Sequence, residues 1–210
     1  HVTLVELDPA VTAMASEVPE LRALNEGACE DPRVEVVNAD AFRWVRSRSR
    51  SGAEPFDAVI ADFPDPDTVA LGRLYSVELY TMLRGLLEPD GSLVVQCGSP
   101  FFAPEAFWTC ESTLQAAGWS VTPYHIDVPS FGDWGFQFAQ PAPAGTDPRV
   151  ERPILEVDGG LGLRFLTPDV LRAAQVFPPD VARDRVSVRP STILDPTIVD
   201  ATQGAWVGYS

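Results

Sequence analysis

Lysine is absent from the chain. All 15 basic residues are arginine, which excludes Schiff-base chemistry and phosphate binding by a P-loop lysine. Histidine occurs only at His1 and His125, so there is no basis for a histidine-built metal site, and a Ser-His-Asp triad would have to run through His125 alone. No metal is expected. The three cysteines, Cys29, Cys97 and Cys110, have no CxxC spacing; they argue against a disulfide framework or zinc knuckle and fit a reducing compartment. No run approaches the ~18 apolar residues needed to cross a bilayer, and no charged-then-apolar leader opens the chain, so the sequence as given reads as soluble and cytoplasmic. Positive charge is scarce as well. Asp and Glu number 30 against 15 Arg, a net charge of −15 with a pI near 4.4, which repels nucleic-acid phosphates and anionic lipid and favours cationic ligands.

What is present suits one ordinary domain with a small appendage: 210 residues, 45% of them hydrophobic, enough for a sizeable core. Three apolar runs end in acids, VTLVELD at 2–8, VEVVNAD at 34–40 and FDAVIAD at 56–62, and a fourth is GSLVVQ at 91–96. Stretches of helical period lie between them, the alternation of a mostly parallel sheet covered by helices. Asp8 followed by Pro9 is a helix start, with Val11, Met14, Ala15 and Val18 on one face down to about Pro19. Asp40 precedes a second helix, whose Arg43, Arg46, Arg48 and Arg50 read as a solvated end. Further helices are expected over 74–87 and 104–117. The first stops at a Glu88–Gly91 turn, and the second ends on Gly118 as a left-handed cap. Residues 119–128 and 134–139 read as an antiparallel pair that closes the sheet. The core then occupies 1–140, with a linker at 141–148 and an extension at 149–210. In the extension a short helix is expected from Thr167 to about Val176, followed by loop from Pro178 on. The first strand, over Val2–Leu7, reads as buried and opens without an initiator Met, a turn or a cap, which points to a truncated beginning.

In open parallel sheets ligands sit outside the carboxyl ends of the strands. Those ends carry Glu6, Asp8, Asp40, Asp62 and Asp65. Acids converging on one sheet edge repel one another unless cations or donors meet them, so a cationic ligand is expected there; the plainer reading is that Asp8 and Asp40 cap helices and Glu6 faces water. Glu6 is a candidate for accepting hydrogen bonds from ribose hydroxyls. The glycine-rich turn that would precede it by ~20 residues falls before His1, so the first strand and phosphate-type loop of the fold are absent from this chain. The most specific segment is Ala61-Asp-Phe-Pro-Asp-Pro-Asp67, where an apolar strand opens into two acids three apart, stiffened by Pro64 and Pro66.

Over about residues 2–139 these motifs together resemble the polyamine aminopropyltransferases, the spermidine synthase family. They are VTLVELD with Glu6, NADA with Asp40, FDAVIADFPDPD with Asp62 and Asp65, GSLVVQ, and the 129–136 hairpin. The tail with LRFLTP at 163–168 resembles the extension of bacterial members that carry membrane-spanning helices upstream. The resemblance implies a Rossmann-like methyltransferase core, decarboxylated S-adenosylmethionine as donor, a polyamine such as putrescine as acceptor, a homodimer, and a membrane-anchored segment outside this chain. It assigns Glu6 to the ribose hydroxyls, Asp40 with Ala41 to the adenine, Asp62 to general-base work, and Asp65 with Gln96 to the amine. Two departures fall on the acceptor side: Phe131 stands where studied members carry Tyr, and Gly98 where they carry an acid. Methyl transfer from S-adenosylmethionine and a non-catalytic remnant are the alternatives. The Trp residues read as core or interface, and His125 as a packed or surface residue.

Overall fold

The structure, a computed structural model, describes residues 1–130, 132–150 and 152–207. The chain divides into two compact units, His1–Ala53 and one that begins at Glu54.

In the first unit β1 (Val2–Glu6) and β2 (Val34–Asn38) pair in parallel, from Val2 opposite Val34 to Glu6 opposite Asn38. Asp8 caps α1 (Pro9–Glu17) by accepting the Ala10 amide at 2.8 Å. The helix stops earlier than its apolar spacing predicts, because Val18 precedes Pro19 and is held extended, as the proline ring demands of its neighbour; Pro19 then opens a separate α2 (Pro19–Leu24). Asp40 caps α3 (Ala41–Arg48) by accepting the Arg43 amide at 2.9 Å, and Phe42 and Val45 are its buried residues. The expectation that β1 is buried needs correction. Val2, Leu4 and Leu7 are 56%, 40% and 69% exposed, since two strands and short helices have too little apolar area to enclose either face.

The second unit holds a four-stranded sheet in the order β3 (Phe56–Ala61), β4 (Leu87–Gln96), β6 (Gly132–Pro141), β5 (Trp119–Val128). β3 and β4 are parallel, and β6 is antiparallel to both β4 and β5; β3, β4 and β5 therefore run one way and β6 alone runs against them. The six strands thus form an α/β arrangement in two sheets rather than one closed sheet. The Glu88–Gly91 turn lies inside β4 as an irregularity, where the register jumps from Phe56 opposite Leu87 to Ala58 opposite Ser92. α4 (Val69–Gly72), α5 (Val77–Arg84, capped by Ser76) and α6 (Pro104–Ala116) follow. Gly118, at φ +84°, ends α6 in the left-handed region. Tyr75, Leu79, Tyr80, Leu93, Phe107, Leu114, Trp119 and Val121 are fully enclosed and make the core.

Beyond residue 148 the chain packs back on α6. The Trp108 indole donates to the Val181 carbonyl at 2.8 Å, and the Ser191 amide to Thr113 Oγ1 at 2.9 Å. Glu111, only 1% exposed, accepts from Arg152 at 3.3 Å and Arg183 at 3.2 Å. Burial raises its carboxyl pKa above the ordinary value even though both guanidiniums pull it down. α7 (Pro168–Ala173) lies where a helix is expected, but α8 (Thr197–Val207) occupies a stretch that reads as loop. Ile198, Val199 and Thr202 are its buried residues. It rests against Gly72 so closely that a Cβ there would meet Val199 at 2.5 Å. Packing of this kind, rather than intrinsic propensity, makes short helices stable. Among the described residues no helix is long and apolar enough to cross a membrane.

Candidate active site

The predicted site residues gather in two groups, one at the carboxyl end of each sheet. In the first unit Glu6 ends β1, and its Oε1 accepts the Asp8 amide at 2.8 Å. Its paired residue Asn38 ends β2, two positions before Asp40, and Ala41 is the first residue of α3. Asp8 and Asp40 do cap helices, so the plainer reading holds for one oxygen of each; the Glu6 carboxylate does more than face water, because it shapes the turn between β1 and α1.

In the second unit β3 delivers Asp62 and Asp65 on the proline-stiffened segment, and the adjacent β4 delivers Gln96 at its end. Both acids are exposed, and among the described residues neither carboxylate has an ion-pair partner. Gln96 is 6% exposed, and its amide is the hub of the site. Oε1 accepts from the Gly98 amide at 2.9 Å and the Trp134 indole at 2.8 Å. Nε2 donates to the Phe63 carbonyl, to Asp65 Oδ1 at 3.2 Å and to the Tyr75 hydroxyl at 3.0 Å. Two N–H donors on one side and oxygen acceptors on the other leave a single sensible orientation for the amide. The Tyr75 hydroxyl donates in turn to the Phe63 or Pro64 carbonyl, at 3.1 and 3.2 Å. Burial pushes this phenol well above its usual range, with smaller contributions from Cys97, Cys110 and Asp65, so it stays a neutral donor.

Two cavities open around this hub. One, of about 270 Å³, is bordered by Asp62, Gln96, Val128, Trp134 and Phe136. The other, of about 310 Å³, is bordered by Asp65, Tyr75 and Gly98 together with several apolar side chains, and Trp134 borders both. Gly98 has φ +66°, and a Cβ on it would stand 3.6 Å from Asp65 Oδ1, so its bare Cα leaves room beside that carboxylate. The hairpin position Phe131 lies outside the described residues. Chemically, the site offers two carboxylates able to accept protons or hold cations, one of them oriented by a neutral amide, beside spaces sized for a small organic molecule. Among the described residues no group of three or more His, Cys, Asp or Glu could hold a metal ion.

Sequence reasoning passes over Tyr75 and treats Trp134 as mere packing. Tyr75 falls within the stretch 74–87 that reads as helix and so looks like one more packed side chain; it lies instead in a 3-10 turn, Arg73–Tyr75, just before the α5 cap. Trp134 has one: it sits in the hairpin strand that pairs with β4, where Gln96 lies opposite Phe136, two positions on. His125 is packed, with its ring against the Asp133 carboxylate at 2.9 Å and the Val176 carbonyl at 2.9 Å.

A sequence model of the spermine/spermidine synthase domain matches residues 1–148. The chain is 49% identical over 209 residues to polyamine aminopropyltransferase 1 of Streptomyces coelicolor, covering 100% of this chain and 37% of that protein. It is 45% identical over 206 residues to the polyamine aminopropyltransferase of Mycobacterium tuberculosis, covering 98% of this chain and 37% of that protein. The chain therefore spans about 37% of the length of these curated relatives. Among solved structures it is similar to a spermidine synthase in complex with the transition-state analogue AdoDATO, with TM-score 0.59 and 20% identity over 87% of this chain and 58% of that one. It is also similar to the spermidine synthase of Thermotoga maritima, with TM-score 0.58 and 18% identity over the same shares. These two likenesses establish the methyltransferase-like fold.

Proposed function

We propose, from the premise that this chain belongs to the spermine/spermidine synthase domain family, that it carries the aminopropyl-transfer chemistry of a polyamine aminopropyltransferase. The donor in this reading is decarboxylated S-adenosylmethionine and the acceptor an aliphatic amine such as putrescine. The observation that carries it is the pair of exposed carboxylates, Asp62 and Asp65, without cationic partners among the described residues and next to two cavities.

An alkylamine with a pKa near that of lysine, about 10.4, arrives as an ammonium and has no lone pair with which to attack. Asp62 takes its proton. The freed nitrogen forms a bond to the propyl carbon next to the sulfonium as the carbon–sulfur bond breaks. The electron pair stays on sulfur, which leaves neutral methylthioadenosine, and positioning supplies most of the acceleration. Asp65, oriented by Gln96, holds the acceptor through its charge. Glu6 is assigned to the ribose hydroxyls and Asp40 with Ala41 to the adenine of the donor. An acid pair placed to strip and hold an ammonium favours this reading over methyl transfer, which has no general need of one.

The test is Asp62→Asn in the full-length protein. The asparagine should lower turnover with the decarboxylated donor by roughly 10²–10⁴-fold and leave donor binding in place, whereas Glu6→Gln should weaken donor binding. Unchanged turnover of Asp62→Asn would remove this carboxylate from the mechanism.

A further inference from the structure

The larger cavity has a wall that residues 1–148, the stretch matched by the family, do not supply. Ile198, Thr202 and Trp206 border it. They are spaced four apart along α8 and so share one helix face, presenting a strip roughly 12 Å long. Ile198 is 2% exposed and Trp206 64%, so the strip runs from the closed depth of the cavity to its open side. Asp65, Trp134 and Phe102 border the same cavity, and Phe102 meets the Trp206 ring edge-on at 4.7 Å between centroids. α8 is fixed to the acidic segment itself, because Gln203 Nε2 donates to the Asp67 carbonyl at 2.8 Å. Its Val199 seats against Gly72.

A cavity with one carboxylate, a few hydroxyls such as those of Ser99 and Thr202, and otherwise apolar and aromatic surface fits a particular chemistry. It suits an alkyl chain with one ammonium at the acid, its methylenes against aliphatic and aromatic surface, and any remote ammonium over an aromatic face, where cations are held without a counter-anion. We propose that α8 is the acceptor gauge of this protein. Ile198, Thr202 and Trp206 wall the aliphatic part of the amine that Asp65 holds, and Trp206 governs how well long α,ω-diamines are accepted. This inference rests on the aminopropyl-transfer reading, and it gives a specificity role to the C-terminal extension.

The experiment measures methylthioadenosine release by the full-length protein, with the decarboxylated donor and a series of propane-, butane-, pentane- and hexane-diamines. Trp206→Ala should raise KM for the pentane and hexane members roughly two- to five-fold, the scale of a lost cation–aromatic contact at an exposed ring, with a smaller rise for the propane member and kcat changed less than KM. Trp206→Phe should restore most of the loss. Leu194→Ser, at a 95% exposed position of the same extension that does not border the cavity, should match the parent. A Trp206→Ala protein with the parent's KM profile would overturn the gauge while leaving aminopropyl transfer intact. A parent protein that releases no methylthioadenosine with any of these amines would overturn both.

Discussion

Gln96→Glu changes a single group at the centre of the site, yet it reverses one side of the hydrogen-bond pattern. The oxygen facing Gly98 and Trp134 keeps its role. The other oxygen replaces an amino group and now meets the Phe63 carbonyl, Asp65 Oδ1 at 3.2 Å and the Tyr75 hydroxyl at 3.0 Å. Two carboxylate charges at that separation repel by roughly 1 kcal/mol in a water-like dielectric and roughly 5 kcal/mol at an effective dielectric of 20. Asp65 is exposed, which draws the value toward the lower bound, while lost hydrogen bonds at a buried group add about 1–3 kcal/mol. The sum centres on about 3 kcal/mol, or a fall in Tm of roughly 6–12 °C for a unit of this size. The sign follows from protonation. The new carboxyl is held more protonated in the folded than in the unfolded state, so the penalty grows as pH rises above the ordinary glutamate value of about 4.3 and fades as pH falls toward it. The assay is the Tm difference between variant and parent, read by circular dichroism at pH 8 and at pH 5. A difference of equal size at both pH values, or none, would refute the orientation assigned to the Gln96 amide.

Two further outcomes follow from packing and charge. Glu111 has its carboxyl pKa raised by burial, so its contribution to stability is greatest below pH 4.5 and declines as pH rises through the raised value; thermal melts across pH should show Glu111→Gln flattening that decline and Arg183→Ala steepening it, and a Glu111→Gln profile parallel to the parent's would count against the assignment. At Gly135 an added Cβ would meet the enclosed Phe107 ring at 2.4 Å and the Gly98 carbonyl at 2.9 Å. Gly135→Ala should therefore cost about 1–3 kcal/mol by overpacking, seen as a lower denaturant midpoint at unchanged slope, and an unmoved midpoint would contradict the packing described.

Much of the architecture is legible in local chemistry. Asp8–Pro9 and Asp40 announce helix starts because a side-chain carboxylate there can accept from the first orphan amides. The Asp62–Asp67 segment announces a strand end because prolines cannot continue a ladder. The partnership of Gln96 with Tyr75 and Trp134 is not legible, since it joins residues 21 and 38 positions apart that only the sheet and the turn before α5 bring together. α8 escapes for a different reason: Gly204 and its β-branched residues weaken the helical signal, and the helix owes its existence to α6 and Gly72 beneath it. The exposure of β1 is equally hidden, because apolar composition records what a strand could bury and not what is available to cover it.

Pro64 and Pro66 have a consequence that reaches beyond the folded protein. Each removes backbone freedom from the denatured chain as well as from the native loop, so the segment bearing both acids surrenders comparatively little entropy when it takes up its native path. The stiffness that holds these two like charges on one short segment is thus written partly into the disordered ensemble. A residue able to loosen this stretch could leave every contact in place and still show itself in the equilibrium between coil and fold.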